Sequence, residues 1–255
     1  MGGLRASHFF EELVKIVIAV NTLTQVAQPS YVNHCQLWYR LGKTHPDWEF
    51  VFFAPQRMSI DRMRNDAANI ALEWEADYLI FLDDDVLVPV DGVEKLISTN
   101  FPVCSGVTLI RGYPYYPMLF DFSDPKCHYL VDWKDKESND CGGTNVDAVG
   151  FSFCAIQVNF LKQVSKPYFM TAPTHTEDVY FCMKATKELG AGNIGFRKDV
   201  VTSHILGLDT IEPGSRDARI AFDEAVNPDL KEAKRAVDRG EDYLHIVKAK
   251  CDVEV

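Results

Sequence analysis

Apolar positions in the first half of the chain fall into short blocks separated by amphipathic stretches. Residues 14–20, 48–54 and 78–82 are brief runs of strand-forming side chains. Between them, residues 30–41 and 59–74 suit helices. In the second stretch Ile60, Met63, Ala67, Ile70, Ala71 and Trp74 recur at helical spacing. Ser30 and Ser59 stand where an N-cap hydroxyl is expected. A short helix over 91–99 and a strand over 103–110 continue the alternation. This order predicts a mostly parallel sheet with helices on both faces, in which ligands bind beyond the carboxyl ends of the strands.

The second half is less regular. Residues 111–145 are rich in Pro, Gly, Tyr and charge, including Gly112-Tyr113-Pro114-Tyr115-Tyr116-Pro117, and read as a long loop of the kind that lines binding sites. Strand and turn are expected over 146–158, short helices over 159–164 and 176–189, and a last short strand over 200–204. From Arg216 the chain is charged and helix-prone. We expect one domain over 1–255, with a core at about 14–208 and a C-terminal helical extension at about 215–250.

Composition narrows the class. The chain has 255 residues, 47% of them hydrophobic, enough for a sizeable core. A formal net charge of −11 disfavours a broad footprint on nucleic acid or anionic membrane. Seven cysteines without a Cys-x-x-Cys pair argue against a disulfide framework and a structural zinc site. Cys104, Cys154 and Cys182 read as small core residues, and a reducing, cytoplasmic setting is expected. No signal peptide or membrane span is expected, because the apolar run at 14–20 is short and carries Lys15.

The sharpest chemical signal is where the third strand ends in Asp83, Asp84 and Asp85. Adjacent acids at the end of a buried strand repel and need compensating charge. A divalent cation supplies it, since hard cations take oxygen ligands. If the strand continued, Asp83 and Asp85 would share one face. The plain alternative is a solvated acidic turn. Arg62, Arg64 and Asn65 lie near the start of the preceding helix, where an arginine can pair a phosphate or an aspartate and Asn65 can hold a loop or a base edge. Glu177 and Asp178 follow Thr176 at a helix start. Capping explains them as well as a general-base role does. His204 ends a short apolar run; it reads as an ordinary surface or core histidine or, beside an aspartate cluster, as a further metal ligand. Gly150 and Ser152 form a small-residue turn where a ligand can approach the backbone, or an ordinary bulge. Walker, G-x-G-x-x-G, G-x-S-x-G and His-Glu-x-x-His motifs are absent from the sequence.

Taken in order, these segments resemble the glycosyltransferases of the A-type fold, especially the family 2-like group. The matching features are a first strand ending at Asn21, the segment Arg64-Asn65-Asp66-Ala67-Ala68, the Asp-x-Asp-like Asp83-Asp84-Asp85, and Glu177-Asp178 followed by His204. The likeness runs from about residue 14 to 204. It implies a Rossmann-like domain, Mn²⁺ or Mg²⁺, and a nucleotide-sugar donor, usually a UDP-sugar. By the resemblance, Asp85 holds the metal with Asp83 and His204. Asn21, Arg64, Asn65, Asp83 and Asp84 contact the donor, or in the case of Arg64 brace the aspartates. Asp178 is the base of an inverting transfer, with Glu177 orienting it or the acceptor. The Tyr113–Tyr116 region would form a mobile acceptor wall.

The triplet can serve as Asp-x-Asp in more than one way, and strand alternation favours Asp83 with Asp85. A sugar-1-phosphate nucleotidyltransferase shares this layout and a metal, but its first loop resembles a glycine-rich, basic pattern, whereas residues 21–25 here are Asn-Thr-Leu-Thr-Gln. A non-catalytic nucleotide-sugar binding module is the other alternative. The acceptor can be a glycan, another hydroxyl or a hydroxymethylated DNA base. For DNA, Lys231, Lys234, Arg235 and Arg239 would form one basic stripe, though interspersed Glu232 and Asp238 suit an ordinary solvated helix face.

Overall fold

The computed structural model describes residues 13–22, 25–123, 128–207, 209–227, 230–231 and 235. The chain opens with β1 (Lys15–Asn21), α1 (Gln28–Thr44), β2 (Glu49–Phe53), α2 (Ile60–Glu73) and β3 (Tyr78–Asp83). It continues through β4 (Val86–Leu87), α3 (Gly92–Ile97), β5 (Val103–Val107), β6 (Leu119–Phe120), β7 (Gly143–Asn145) and β8 (Ala148–Val149). The last elements are β9 (Phe153–Gln157), α4 (Val158–Leu161), α5 (Glu177–Leu189), β10 (Ile194–Val201), β11 (Ser203–Leu206), β12 (Asp209–Ile211) and α6 (Arg216–Val226).

A seven-stranded sheet in the order β2-β1-β3-β9-β5-β10-β7 forms the centre. β1 is parallel to β2 and β3, and β5 is parallel to β10. β9 runs antiparallel between β3 and β5, and β7 is antiparallel at the β10 edge. The sheet is therefore mostly parallel, and β1, β3, β5 and β10 bring their carboxyl ends to one edge.

Period-2 alternation builds two cores from the apolar runs. Val17, Ala19, Leu79 and Phe81 face Ala67, Ala68 and Ala71 of α2 and Phe181, Cys182 and Ala185 of α5. Ile16, Ile18, Ile80 and Leu82 face Leu37 and Leu41 of α1 and Val93 and Leu96 of α3. Helices thus cover both faces, as the sequence predicts. Gly106 lets β5 approach β10, since an added Cβ would lie 2.8 Å from the Val200 carbonyl oxygen.

Several boundaries differ from expectation. α1 begins at Gln28, with Ala27 rather than Ser30 at the N-cap position. Pro29 lies in the first turn, where its fixed φ favours helix and its missing N–H costs nothing, and this moves the start ahead of Ser30. β10 is eight residues long and begins well before residue 200. Thr202, whose N–H bonds the Val107 carbonyl, ends it, and the chain then starts β11 in a separate three-stranded sheet. The acidic triplet is not all strand: Asp83 ends β3, whereas Asp84 and Asp85 form the turn into β4. The alternation argument for Asp83 and Asp85 therefore does not apply. Of the proposed basic stripe, Lys234 and Arg239 lie outside the described residues, and Lys231 and Arg235 are exposed. No helix among the described residues is long and apolar enough to cross a membrane. Cys104, Cys154 and Cys182 are buried and unpaired, as expected of small core residues.

Candidate functional site

The small sheet β12-β11-β4 explains how residues distant in sequence meet. β11 pairs with β4 so that His204 lies opposite Val86, one residue beyond Asp85. The Ile205 N–H also bonds the Asp85 carbonyl at 2.9 Å. Asn33 of α1 clamps the next segment, donating to the Val88 carbonyl at 3.0 Å and accepting from its N–H at 2.8 Å. The Ala27 N–H bonds the Asp84 carbonyl, tying the start of α1 to the same turn. A run of backbone bonds thus fixes the acidic turn at the carboxyl edge of the sheet.

Asp85 has a charged or polar group on each oxygen. Oδ1 lies 3.3 Å from His204 Nε2, and Oδ2 lies 2.9 Å from the Arg111 guanidinium. Burial alone would raise its pKa, but the hydrogen bond and charge of His204, together with Arg111, hold it below the ordinary aspartate value. The imidazole is oriented by Nδ1, which donates to the Leu109 carbonyl at 2.8 Å. That bond turns Nε2 toward Asp85, 3.3 Å from its Oδ1. Backbone-oriented histidine with its other nitrogen aimed beside a carboxylate is the donor arrangement of metal-binding imidazoles.

Arg64 is the hub of the other half. Its side chain is only 3% exposed, and its Nε donates to Glu177 Oε1 at 2.8 Å. Nη1 donates to the Phe151 carbonyl at 3.2 Å, and Nη2 lies 3.6 Å from Asp83 Oδ1. The guanidinium also lies over the Phe81 and Phe151 rings, 4.8 and 5.5 Å from their centroids. Burial would lower the Arg64 pKa, but Asp83, Glu177 and Asp178 outweigh it and raise it. Burial raises the pKa values of Asp83 and Glu177, against the pull of Arg64. Arg64 thus touches both Asp83 and Glu177.

Asp178 is buried at the start of α5. Oδ2 accepts the Phe151 N–H at 3.3 Å, and Oδ1 accepts the Val179 N–H at 2.8 Å and the Thr176 hydroxyl. The Phe151 peptide therefore links the two sides, with its N–H on Asp178 and its carbonyl on Arg64. A carboxylate has about four lone-pair sites, so one on Oδ2 stays available to a hydroxyl.

Asn21 pairs in register with Asp83 across β1 and β3. Its amide is buried, with neither end hydrogen-bonded among the described residues. A buried orphan amide at this edge is a ready partner for a polar ligand. Asn65 takes the loop-holding option: it donates to the Asp61 and Phe169 carbonyls at 2.8 and 2.7 Å and accepts from the Tyr168 and Phe169 N–H groups. The Tyr113–Tyr116 segment is fastened rather than free. Tyr113 donates to Glu224 at 2.7 Å, Tyr115 to Asp223, and Arg216 donates to the Pro114 and Tyr115 carbonyls.

The structure thus gathers Asn21, Arg64, Asp83, Asp85, Glu177, Asp178 and His204 at one edge, and leaves Asn65 as a loop clamp. Sequence reasoning missed Arg111 and the Phe151 peptide. Arg111 carries a weak signal, as the first residue after the β5 run, and a backbone peptide carries none. Among the described residues no three His, Cys, Asp or Glu side chains are grouped closely enough to hold a metal by themselves. Asp85 and His204 nevertheless fit Mg²⁺ or Mn²⁺ bound jointly with a ligand, because such ions keep waters and take substrate phosphate oxygens alongside one or two protein donors.

No protein-family model matches the chain, and no curated protein matches it significantly. Among solved structures it shares its fold with A197 from STIV, at a TM-score of 0.55 and 19% identity, over 79% of this chain and 91% of that one. A glycosyltransferase involved in glycosylation of the major capsid of PBCV-1 overlays at a TM-score of 0.37 and 10% identity, over 82% and 99% of the two chains. A putative glucose-1-phosphate thymidylyltransferase from Bacillus anthracis overlays at 0.42 and 8% identity, over 75% and 89%. The last two overlays are too loose to bear on chemistry.

Proposed function

We propose that the protein is a metal-dependent glycosyltransferase that moves a sugar from a nucleotide-sugar, a UDP-sugar in the first instance, to an acceptor hydroxyl. The observation that carries this reading is the pairing of His204 Nε2 with Asp85, set by the Nδ1 bond to the Leu109 carbonyl at the carboxyl edge of the sheet. Four carboxylates, Asp83, Asp85, Glu177 and Asp178, meet two guanidinium groups there. A site with surplus negative charge takes a dianionic donor only together with a cation.

Asp85 and His204 would hold Mn²⁺ or Mg²⁺, with Asp83 beside them. The bound ion would supply positive charge to the departing diphosphate. Asn21 and Asp84 would bind the nucleoside, and Asp83 would meet a ribose or sugar hydroxyl. Arg64 holds Asp83 and Glu177 in place. Asp178 Oδ2 would accept the proton of the acceptor hydroxyl as its oxygen bonds the anomeric carbon and the bond to the diphosphate breaks. Attack from the face opposite the leaving group inverts the anomeric centre. The acceptor class stays open between glycans, other hydroxyls and modified DNA bases.

The test is turnover. The protein is incubated with a panel of nucleotide-sugars and Mn²⁺, with and without simple glycosides, and free nucleoside diphosphate is measured. Metal-dependent release that rises with an acceptor supports transfer. Donor binding without release assigns a binding module instead. Pyrophosphate formed from a nucleoside triphosphate and a sugar-1-phosphate assigns nucleotidyl transfer.

A further inference from the structure

Arg111 closes the acidic turn from the solvent side. Its side chain is 62% exposed and that of Asp85 18%, so the cation sits outside and the acid inside. With Oδ1 against His204 and Oδ2 against Arg111, an ion that approaches either oxygen of Asp85 meets a side chain already in place. The backbone beneath Arg111 is pinned. The Ile110 N–H bonds the Tyr116 carbonyl at 2.9 Å, the Tyr115 N–H bonds the Gly112 carbonyl at 2.8 Å, and both Tyr113 and Tyr115 are hydrogen-bonded to α6. A change of partner by this exposed side chain would then be a rotamer change rather than a loop movement. Breaking an exposed ion pair is cheap.

We propose that Arg111 is a diphosphate-binding residue that guards Asp85, neutralising it in the free protein and passing to a diphosphate oxygen when a nucleoside diphosphate and its divalent ion enter together. This rests on the metal–nucleotide reading above. A guanidinium and a divalent ion on one carboxylate repel each other, so each weakens the hold of the other. The planar fork of arginine matches phosphate oxygens. Exchange of Asp85 for diphosphate leaves neither Arg111 nor Asp85 without an opposite charge before or after binding. It also disfavours ion binding without nucleotide.

The two halves of the exchange give opposite signs in one variant. Mn²⁺ alone is titrated into wild-type, Arg111→Ala and Arg111→Lys proteins, with free Mn²⁺ read by electron paramagnetic resonance. UDP is then titrated at saturating Mn²⁺ by calorimetry. Circular dichroism and the melting temperature check each fold. Loss of the guard should tighten Mn²⁺ binding to Arg111→Ala by about twofold to fivefold, the worth of an exposed ion pair. Loss of the charged contact should weaken UDP by about tenfold to hundredfold. Arg111→Lys should stay near wild type for Mn²⁺ and fall between the two for UDP. Unchanged constants overturn the proposal and leave Arg111 a surface ion pair. Weaker UDP without tighter Mn²⁺ also overturns it, because Arg111 would then not compete for Asp85. Wild-type protein that binds neither probe refutes the metal–nucleotide reading itself, a result distinct from a failure of Arg111 alone.

Discussion

Replacing Arg64 with Met tests whether the hub is structural. The guanidinium is almost wholly buried and bonded to Glu177, the Phe151 carbonyl and Asp83. Methionine fills much of the space between Phe81 and Phe151 but leaves Glu177, 7% exposed, without its cation. Breaking a buried pair from one side costs about 3–5 kcal/mol. For a domain of this size each kcal/mol lowers the melting temperature by about 2–4 °C, so a drop of about 6–20 °C is expected. The loss depends on pH. Asp83 and Glu177 have folded pKa values raised by burial. An acid of that kind binds more protons folded than unfolded, so its ionisation cost is absent below the ordinary carboxylate range and grows as pH rises through the folded value. Removing Arg64 raises both values further. The variant should therefore lose more stability at about pH 8 than at about pH 5, and adding Glu177→Gln should recover part of the loss. Urea denaturation at both pH values measures this. A loss below about 1 kcal/mol, or one independent of pH, would refute a buried, charge-paired hub.

Asp178→Asn keeps an oxygen for the Phe151 N–H but cannot take a proton. It should lower turnover by about 10²–10⁴-fold with nucleotide affinity within about twofold, measured by steady-state release and calorimetry. A loss under about tenfold would place the base elsewhere. Thiol labelling of the folded protein, mapped by mass spectrometry, should modify exposed Cys35 and spare Cys104, Cys154 and Cys182. Burial pushes the Cys104 thiol up to about 12, so at about pH 8 only about one molecule in ten thousand is thiolate. Rapid labelling of Cys104 before unfolding would contradict the packing of β5.

What the sequence revealed follows from how strongly each element depends on local pattern. β1 and β3 were legible because both faces of those strands are buried, which forces continuous apolar runs. The start of β10 was not, because Arg197, Lys198 and Asp199 interrupt its pattern. Arg197 instead bonds Asp199, Ser98 and two backbone carbonyls around the sheet edge. The gathering of Asp85 and His204 was anticipated from residue type, but its cause was not. A strand pairing between β4 and β11 brings them together, not alternation along β3. Arg64 could be read as donor contact or brace, and its contact with Glu177, distant in sequence, is not visible in local spacing. The roles of Arg111 and the Phe151 peptide depend on partners far along the chain, which one-dimensional spacing does not encode.

The most direct test of the central claim is a thermal-shift panel of UDP, GDP, CDP and dTDP, each with and without Mn²⁺, on wild-type and Asp85→Ala proteins. Ligands that bind the folded state raise its apparent stability by mass action, about 2.7 kcal/mol at a hundredfold excess over Kd. The account predicts that one nucleotide raises the melting temperature of the wild type by several degrees only when Mn²⁺ is present, and that the shift disappears in Asp85→Ala. No shift with any nucleotide, or a shift that persists in Asp85→Ala, would contradict it and leave the acidic triplet a structural turn held by His204 and Arg111.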